Sequence, residues 1–473
     1  MAPRRLPDEP QEGRWISFRW GRRAIRAREG DTVASALLAA GETVLARSVK
    51  YHRPRSYLCG VGKCANCLVT IDGKPSLRAC MVPAKEGMVV EPQNAWPSPR
   101  HDVFAAADIL FPSGFDPQRS FTRPRFLLTA YHAMVRRMAG LGKAPRDARA
   151  PQMGPLQQER VALAVVGGGP AGLAAAHEAA TAGVQVALLD EAPWVGGRLT
   201  WSREALRGPS PWQGREPADA LRALREGLAR AGADVRSGTN VAGFYGERLL
   251  AVQTPQRLTE LRAEGVVLAT GAPEALPLFG DNDKPGIMST SGAAILLQRH
   301  RVLPGKRVVL AGADARTLEV GRALAQAGAD IEAVVSDAPA EARDLRVLRG
   351  QIARAHGGRW INAVDVHVGS EVVQLPCDLL VFGEPRRPAV ELAQQAGCAL
   401  HWQGQAWAPR VDATLATTAP RVWACGDLVQ PATLEAALAS GRVAGLQAAR
   451  ALGAKVDEGA LDDATQAWEE LRR

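Results

Sequence analysis

The chain has 473 residues, 46% apolar and 23% charged, with a formal net charge of +9. This is ordinary globular composition, long enough for about three domains of roughly 100–200 residues, and it excludes a fibrous or disordered chain. The positive excess does not mark a nucleic-acid binder, because Arg outnumbers Lys 50 to 8 and is scattered rather than gathered in basic blocks.

The opening MAPRRLPDEP lacks the apolar core of a signal peptide. No run approaches the ~18 apolar residues of a membrane span, so no membrane span is expected and a cytoplasmic location is. Of seven cysteines, four lie between 59 and 80, while Cys377, Cys398 and Cys425 stand alone and read as core. That is not a secreted disulfide framework; clustered thiols in a reducing compartment point to metal.

Residues 12–95 read as a small β-rich domain. Ile16 to Trp20 alternates like a strand, Gly21-Arg22 turns, and Ala24 to Ala27 returns. Asp31 is expected to cap a helix from Thr32 to Ala40. A cysteine loop follows, then a strand Leu68–Ile71 and the tight turn Asp72-Gly73. Hairpin, helix, loop, hairpin is the order of a β-grasp ferredoxin. Residues 96–158, rich in Pro, Arg and aromatics, read as a linker with a helix expected at Phe126 to Leu141.

Within the first domain the spacing is Cys59-x4-Cys64-x2-Cys67-x12-Cys80. Four thiolates with C-x4-C-x2-C and a distant fourth Cys form the plant-type ligand set of a [2Fe–2S] cluster. Three ligands come from one loop wrapped round the cluster, which Gly60 and Gly62 allow to curl. The alternative, structural zinc, usually pairs two short C-x2–4-C knuckles, whereas only one is present here.

From Val161 an apolar strand runs into Gly167-Gly168-Gly169-Pro170-Ala171-Gly172, then a small-residue helix Leu173 to Ala182 and a strand ending at Asp190. Gly167 permits the turn, Gly169 lets the backbone approach a pyrophosphate, and Gly172 lets helix meet strand; an acid about 20 residues on bonds a ribose hydroxyl. Downstream, Thr270-Gly271 closes a strand, and Gly426-Asp427 closes another before a helix at Leu434 to Gly441. Glu191, Gly197, Arg198 and Val241 complete the candidate cofactor contacts, Arg198 being equally readable as a loop ion pair. A second strand, Arg307–Ala311, leads to Gly312-Ala-Asp314-Ala-Arg-Thr317, where only the first glycine survives and Asp314 would repel a phosphate. The organisation expected is a dinucleotide domain at 159–272 and 385–455, interrupted by a degenerate second one at 273–384, with a tail at 456–473.

The 167–172 fingerprint with Ala269-Thr270-Gly271 and Gly426-Asp427 resembles the two-dinucleotide-domain flavoproteins, in which Asp427 would bond the flavin ribitol; no redox C-x-x-C is present in this part. Tyr51-His52-Arg53-Pro54-Arg55 and Asn282-Asp283-Lys284-Pro285-Gly286-Ile287-Met288 narrow the resemblance to alpha subunits of heteromeric sarcosine oxidases and their opine oxidase, hydrogen cyanide synthase and dye-linked proline or hydroxyproline dehydrogenase relatives. The fold class expected is therefore mixed α+β and α/β: an N-terminal β-grasp [2Fe–2S] ferredoxin-like domain followed by a Rossmann-like flavoprotein. The resemblance implies a component of an oxidoreductase that acts on CH–NH bonds of amino acids or secondary amines. It further implies a [2Fe–2S] cluster, FAD or NAD or another adenine nucleotide in the first site, and FMN at a subunit interface. A flavin-containing beta subunit would be the partner in a hetero-oligomer. The folate-type C-terminal half of the sarcosine oxidase alpha chain does not occur within these residues. No acid–base or nucleophilic constellation stands out, as for proteins whose cofactors carry the chemistry. Two other readings stay open: a self-contained NAD(P)H-dependent flavin reductase of its own ferredoxin domain, and a scaffold subunit with a structural nucleotide.

Overall fold

The computed structural model describes residues 4–7, 13–49, 51–106, 128–129, 154–254, 257–337, 342, 344–430 and 433–472. The chain divides into two compact units, one drawn from 1–148 and 276–384, the other from 149–275 and 385–473.

In the first unit, Trp15–Trp20 alternates exposed and buried residues, so that Ile16, Phe18 and Trp20 face inward. It pairs antiparallel with Arg23–Arg28 and parallel with Val89–Pro92. The latter pairs antiparallel with Leu68–Ile71, which returns as Lys74–Arg78. The tight turn between these two takes Asp72 and Gly73 to φ of 48° and 76°, as a primed hairpin turn requires. Helix Val33–Ala39 covers this sheet, and its cap differs from expectation. Thr32, not Asp31, is the N-cap, its hydroxyl accepting from the Ser35 N–H in a reciprocal capping box. Asp31 is one residue too early for that bond and instead accepts from the Arg28 N–H.

The same unit holds a five-stranded parallel sheet, ordered Ile287–Ser289, Leu379–Phe382, Arg307–Ala311, Asp330–Ser336, Val347–Arg349. Its central strands Leu379–Phe382 and Arg307–Ala311 are nearly continuous apolar runs, as strands covered on both faces must be. A three-stranded antiparallel sheet, Gln351–Gly357, Ile361–Val368 and Glu371–Pro376, lies on it. The N-terminal strand Arg4–Arg5 pairs with Val302–Leu303. The helix expected at Phe126 to Leu141 lies outside the described residues, apart from Leu128 and Thr129.

The second unit is built on a seven-stranded sheet whose parallel core runs Asp234–Arg236, Val186–Leu189, Gln157–Val166, Leu258–Leu268, Val422–Ala424. Strand Leu258–Leu268 also pairs antiparallel with Leu249–Gln253 and so carries the β-meander onward to Asn240–Tyr245. Helices Pro170–Thr181 and Leu434–Ala451 lie against one another with Gly441 and Gly445 on the backbone of Ala171 and Ala175. The stretch after 455, read from sequence as a tail, is instead the helix Glu458–Leu471. Its Leu461, Ala464 and Trp468 recur at helical spacing and bury one face.

Candidate functional site

The cysteine loop builds the first candidate site. Cys59, Cys67 and Cys80 are buried and Cys64 is half-buried. The Cys59 sulfur is in hydrogen-bond contact with those of Cys64 and Cys80, and Cys80 also contacts Cys67. Cys59 is held toward the thiolate by Cys64 first, then by Cys80 and the backbone N–H groups of Val61 and Lys63. Contact with Cys80 likewise lowers Cys67, while Cys64 and Cys80 are pushed up as the donors of those bonds. Among the described residues no three or more His, Cys, Asp or Glu side chains are arranged to hold a single metal ion. The four sulfurs instead form one continuous set of neighbours, Cys64 beside Cys59, Cys59 beside Cys80 and Cys80 beside Cys67. The chemistry of four thiols on a buried glycine loop therefore fits the cluster.

The loop is braced from the parallel sheet of its own unit. Leu58 O accepts from the Ser289 N–H at 3.1 Å, and a Cβ on Gly292 would lie 2.2 Å from Leu58 O. Arg55 pairs with Asp283 at 3.0 Å and Arg53 approaches the same carboxylate at 3.8 Å. The two stretches 51–55 and 282–288, which carried the narrow family resemblance, thus face each other. His52 is a packing residue: it is buried, and its Nδ1 lies 2.8 Å from Asp102 Oδ2. Together with the Arg47 bond to Pro99 O, that contact pins residues 96–106, within the stretch read as a linker, onto the first fold.

The second glycine turn is closed by its own side chains. Asp314 is the N-cap of helix Ala315–Gln326. One carboxylate oxygen accepts from the Thr317 N–H and the other from the Thr317 hydroxyl, at 3.2 and 2.5 Å. The Thr317 hydroxyl also meets that of Thr290 at 3.1 Å. The helix N-terminus that would receive a pyrophosphate is therefore already neutralised by an internal anion.

The first glycine turn is open. Helix Pro170–Thr181 begins after Gly169, with Pro170 at its first position. A Cβ on Gly169 would meet nothing within 4 Å, whereas one on Gly172 would lie 1.7 Å from Gly167 O. Ala171 sits on the face of this helix that meets Gly441. Asp190 directly follows the strand Val186–Leu189 and accepts from the Gly168 and Ala192 N–H groups at 2.5 and 2.7 Å, which fixes it beside the turn. Glu191 follows it, half-buried. Gly197 packs on Gly169 and Pro170, bringing Arg198 into the short helix Gly197–Thr200 beside the turn. Val241 lies buried in the strand Asn240–Tyr245. Thr270 and Gly271 are tied to Ala389, the Thr270 hydroxyl donating to Ala389 O and Gly271 O accepting its N–H. Gly426 N–H donates to Ser440 Oγ. Asp427 lies 3.8 Å from Arg386, a partner that the sequence reading missed because 41 residues separate them. Cys425 is inert core, its thiol pushed up to about 12 by burial.

The pyridine nucleotide-disulphide oxidoreductase family matches residues 161–451. The chain belongs to this family. A 2Fe-2S iron-sulfur cluster binding domain matches residues 13–95. The sarcosine oxidase alpha subunit of Rhizobium meliloti (strain 1021) is 33% identical over 429 residues, covering 86% of this chain and 43% of its own length. An opine oxidase subunit of Agrobacterium tumefaciens (strain Ach5) is 30% identical over 334 residues, covering 60% of this chain and 65% of its own. The chain thus spans less than half the length of the sarcosine oxidase protein. The crystal structure of L-proline dehydrogenase from P. horikoshii superposes with a TM-score of 0.72 at 21% identity, covering 98% of this chain and 79% of that one, and shares the fold. These similarities bear out the family resemblance and the fold class. They make the chain an oxidoreductase and support a [2Fe–2S] cluster and FAD as its cofactors. No helix among the described residues is long and apolar enough to cross a membrane.

Proposed function

We propose that this oxidoreductase is the electron-transfer subunit of a heteromeric dehydrogenase or oxidase acting on CH–NH bonds, of the sarcosine, proline, hydroxyproline or opine type. In this reading Cys59, Cys64, Cys67 and Cys80 hold the [2Fe–2S] cluster, which supplies one-electron transfer. The first glycine turn orients FAD or another adenine nucleotide: Gly167 to Gly172 at the pyrophosphate, Asp190 and Glu191 at a ribose, and Gly197, Arg198, Val241, Thr270, Gly271, Gly426 and Asp427 around the rest. A separate flavin-containing subunit takes the hydride from substrate, with FMN at the subunit interface, in a reducing cytoplasm. The relatives named as oxidase subunits support a hetero-oligomer.

The observation that carries the proposal is the closed second turn. With Asp314 on the helix N-terminus, the chain offers a nicotinamide reductant no second phosphate cradle among the described residues, so electrons enter from elsewhere. Co-expressed with a candidate flavoprotein partner, the complex should reduce a dye with sarcosine, proline, hydroxyproline or an opine. NADH should leave the visible spectrum of the isolated chain unchanged. Rapid bleaching by NADH would instead establish a self-contained reductase, and a redox-silent protein would establish a scaffold.

A further inference from the structure

Tyr57 precedes the first cluster cysteine by two positions and is among the largest fully buried side chains, 2% exposed. Its hydroxyl is buried and has no hydrogen-bond partner among the described residues. Buried hydroxyls are nearly always hydrogen-bonded, so an unpartnered one points to an acceptor supplied from outside the chain. The direction in which it points is given by Gly60, where a Cβ would lie 2.3 Å from Tyr57 Oη. The hydroxyl therefore lies against the backbone of Gly60, the residue that follows the first cluster cysteine, on the side where that Cβ would also meet Gly292 Cα at 3.2 Å. Burial pushes the phenol's pKa up, and the charges of Cys80, Cys59, Cys67 and Cys64 act in the same direction. No other acceptor among the described residues fills this place, and sulfur of an iron–sulfur cluster is a hydrogen-bond acceptor.

We propose that the Tyr57 hydroxyl donates a hydrogen bond to a sulfur of the cluster, a cysteine thiolate or a bridging sulfide, and thereby raises its reduction potential. The inference rests on the cluster assignment above. Reduction adds one negative charge to the cluster, and a donor aimed at sulfur stabilises the more negative state. Tyr57 is a tuning residue that positions a proton donor; it takes no part in substrate chemistry.

The test is a redox titration of the purified chain, followed by visible absorbance and by the electron paramagnetic resonance of the reduced cluster, with iron and acid-labile sulfide measured alongside. Tyr57→Phe should keep iron and sulfide at the wild-type ratio and shift the reduction equilibrium about tenfold toward the oxidised form. That is about 59 mV downward for a one-electron couple. A second measurement needs no substitution at the loop. Replacing the four tyrosines of the chain biosynthetically with a ring-fluorinated, more acidic tyrosine strengthens the donor and should move the potential upward. An unchanged potential in Tyr57→Phe with full cluster, or in the fluorotyrosine protein, overturns the inference and leaves the cluster assignment standing. Wild-type protein free of iron and sulfide overturns the cluster assignment itself.

Discussion

The molecule contains two glycine turns at the ends of parallel strands, and they have gone separate ways. At 167–172 the helix N-terminus is left open and Gly172 closes backbone to backbone. At 312–317 the same position is occupied by Asp314, whose carboxylate takes both the N–H and the hydroxyl of Thr317. The difference lies in where the compensating negative charge comes from. A helix N-terminus needs an acceptor. The first turn must draw it from a ligand, while the second carries it in the chain. A nucleotide fold whose phosphate site is satisfied internally is released for another use. Here its strand Ile287–Ser289 and the helix Thr290–Ala294 that follows brace the cysteine loop.

The largest effect should come from Gly172→Ala. The added Cβ meets backbone at 1.7 Å, so the turn must open, at about 3 kcal/mol by the scale of overpacked cores. The protein should lose its extractable dinucleotide and unfold at lower urea. Gly312→Ala is the matched control: its Cβ meets only Asp314 Oδ2, at 3.6 Å, and the strain comes from a φ of 111°, about 1–2 kcal/mol. Dinucleotide content should stay at the wild-type level. Equal losses from both substitutions would erase the contrast between the turns.

A smaller effect, about 1 kcal/mol, is expected for Asp314→Ala, the usual consequence of removing an N-cap. Urea unfolding should register it without change in iron or dinucleotide. If the variant also begins to bind NADH, the internal anion alone seals the turn; if it does not, Thr317 contributes to the seal.

Acid should weaken the unit that holds the sealed turn. His300 is buried against Asp31 at 3.4 Å, with Arg5 2.5 Å from the same carboxylate. Burial lowers the His300 pKa. The unfolded chain therefore binds a proton that the folded one refuses, and stability falls as pH drops below the ordinary imidazole value of about 6.5. Burial would raise Asp31, but the hydrogen bond from His300 and the charge of Arg5 outweigh it and lower its pKa. Its contribution is present above the ordinary carboxylate range and is lost only as pH falls through the lowered value. The urea midpoint should decline gently from near-neutral pH and more steeply in strong acid, and His300→Gln should remove the first part.

The cysteine spacing, the first fingerprint and strands such as Arg307–Ala311 were legible because each is encoded within about 20 residues of chain. The Asp31 cap was misread by one residue, and the helix Glu458–Leu471 was passed over, because cap choice and amphipathic packing are settled by neighbours that a linear reading weighs poorly. Asp314 was recognised as hostile to phosphate. That it fills the site as an N-cap required seeing Thr317 turned toward it.

Residue order alone tells which atoms are available: four thiols on a glycine-bearing loop, and one turn whose small residues admit a phosphate while the other's acid repels it. Which of them meet follows from how distant segments pack. The cysteine loop rests on Gly292, more than 230 positions away, and the Tyr57 hydroxyl is packed against Gly60 of that loop. Local spacing fixes what a short segment can chelate or cap, whereas the close packing of distant segments selects the one side-chain direction that leaves no void.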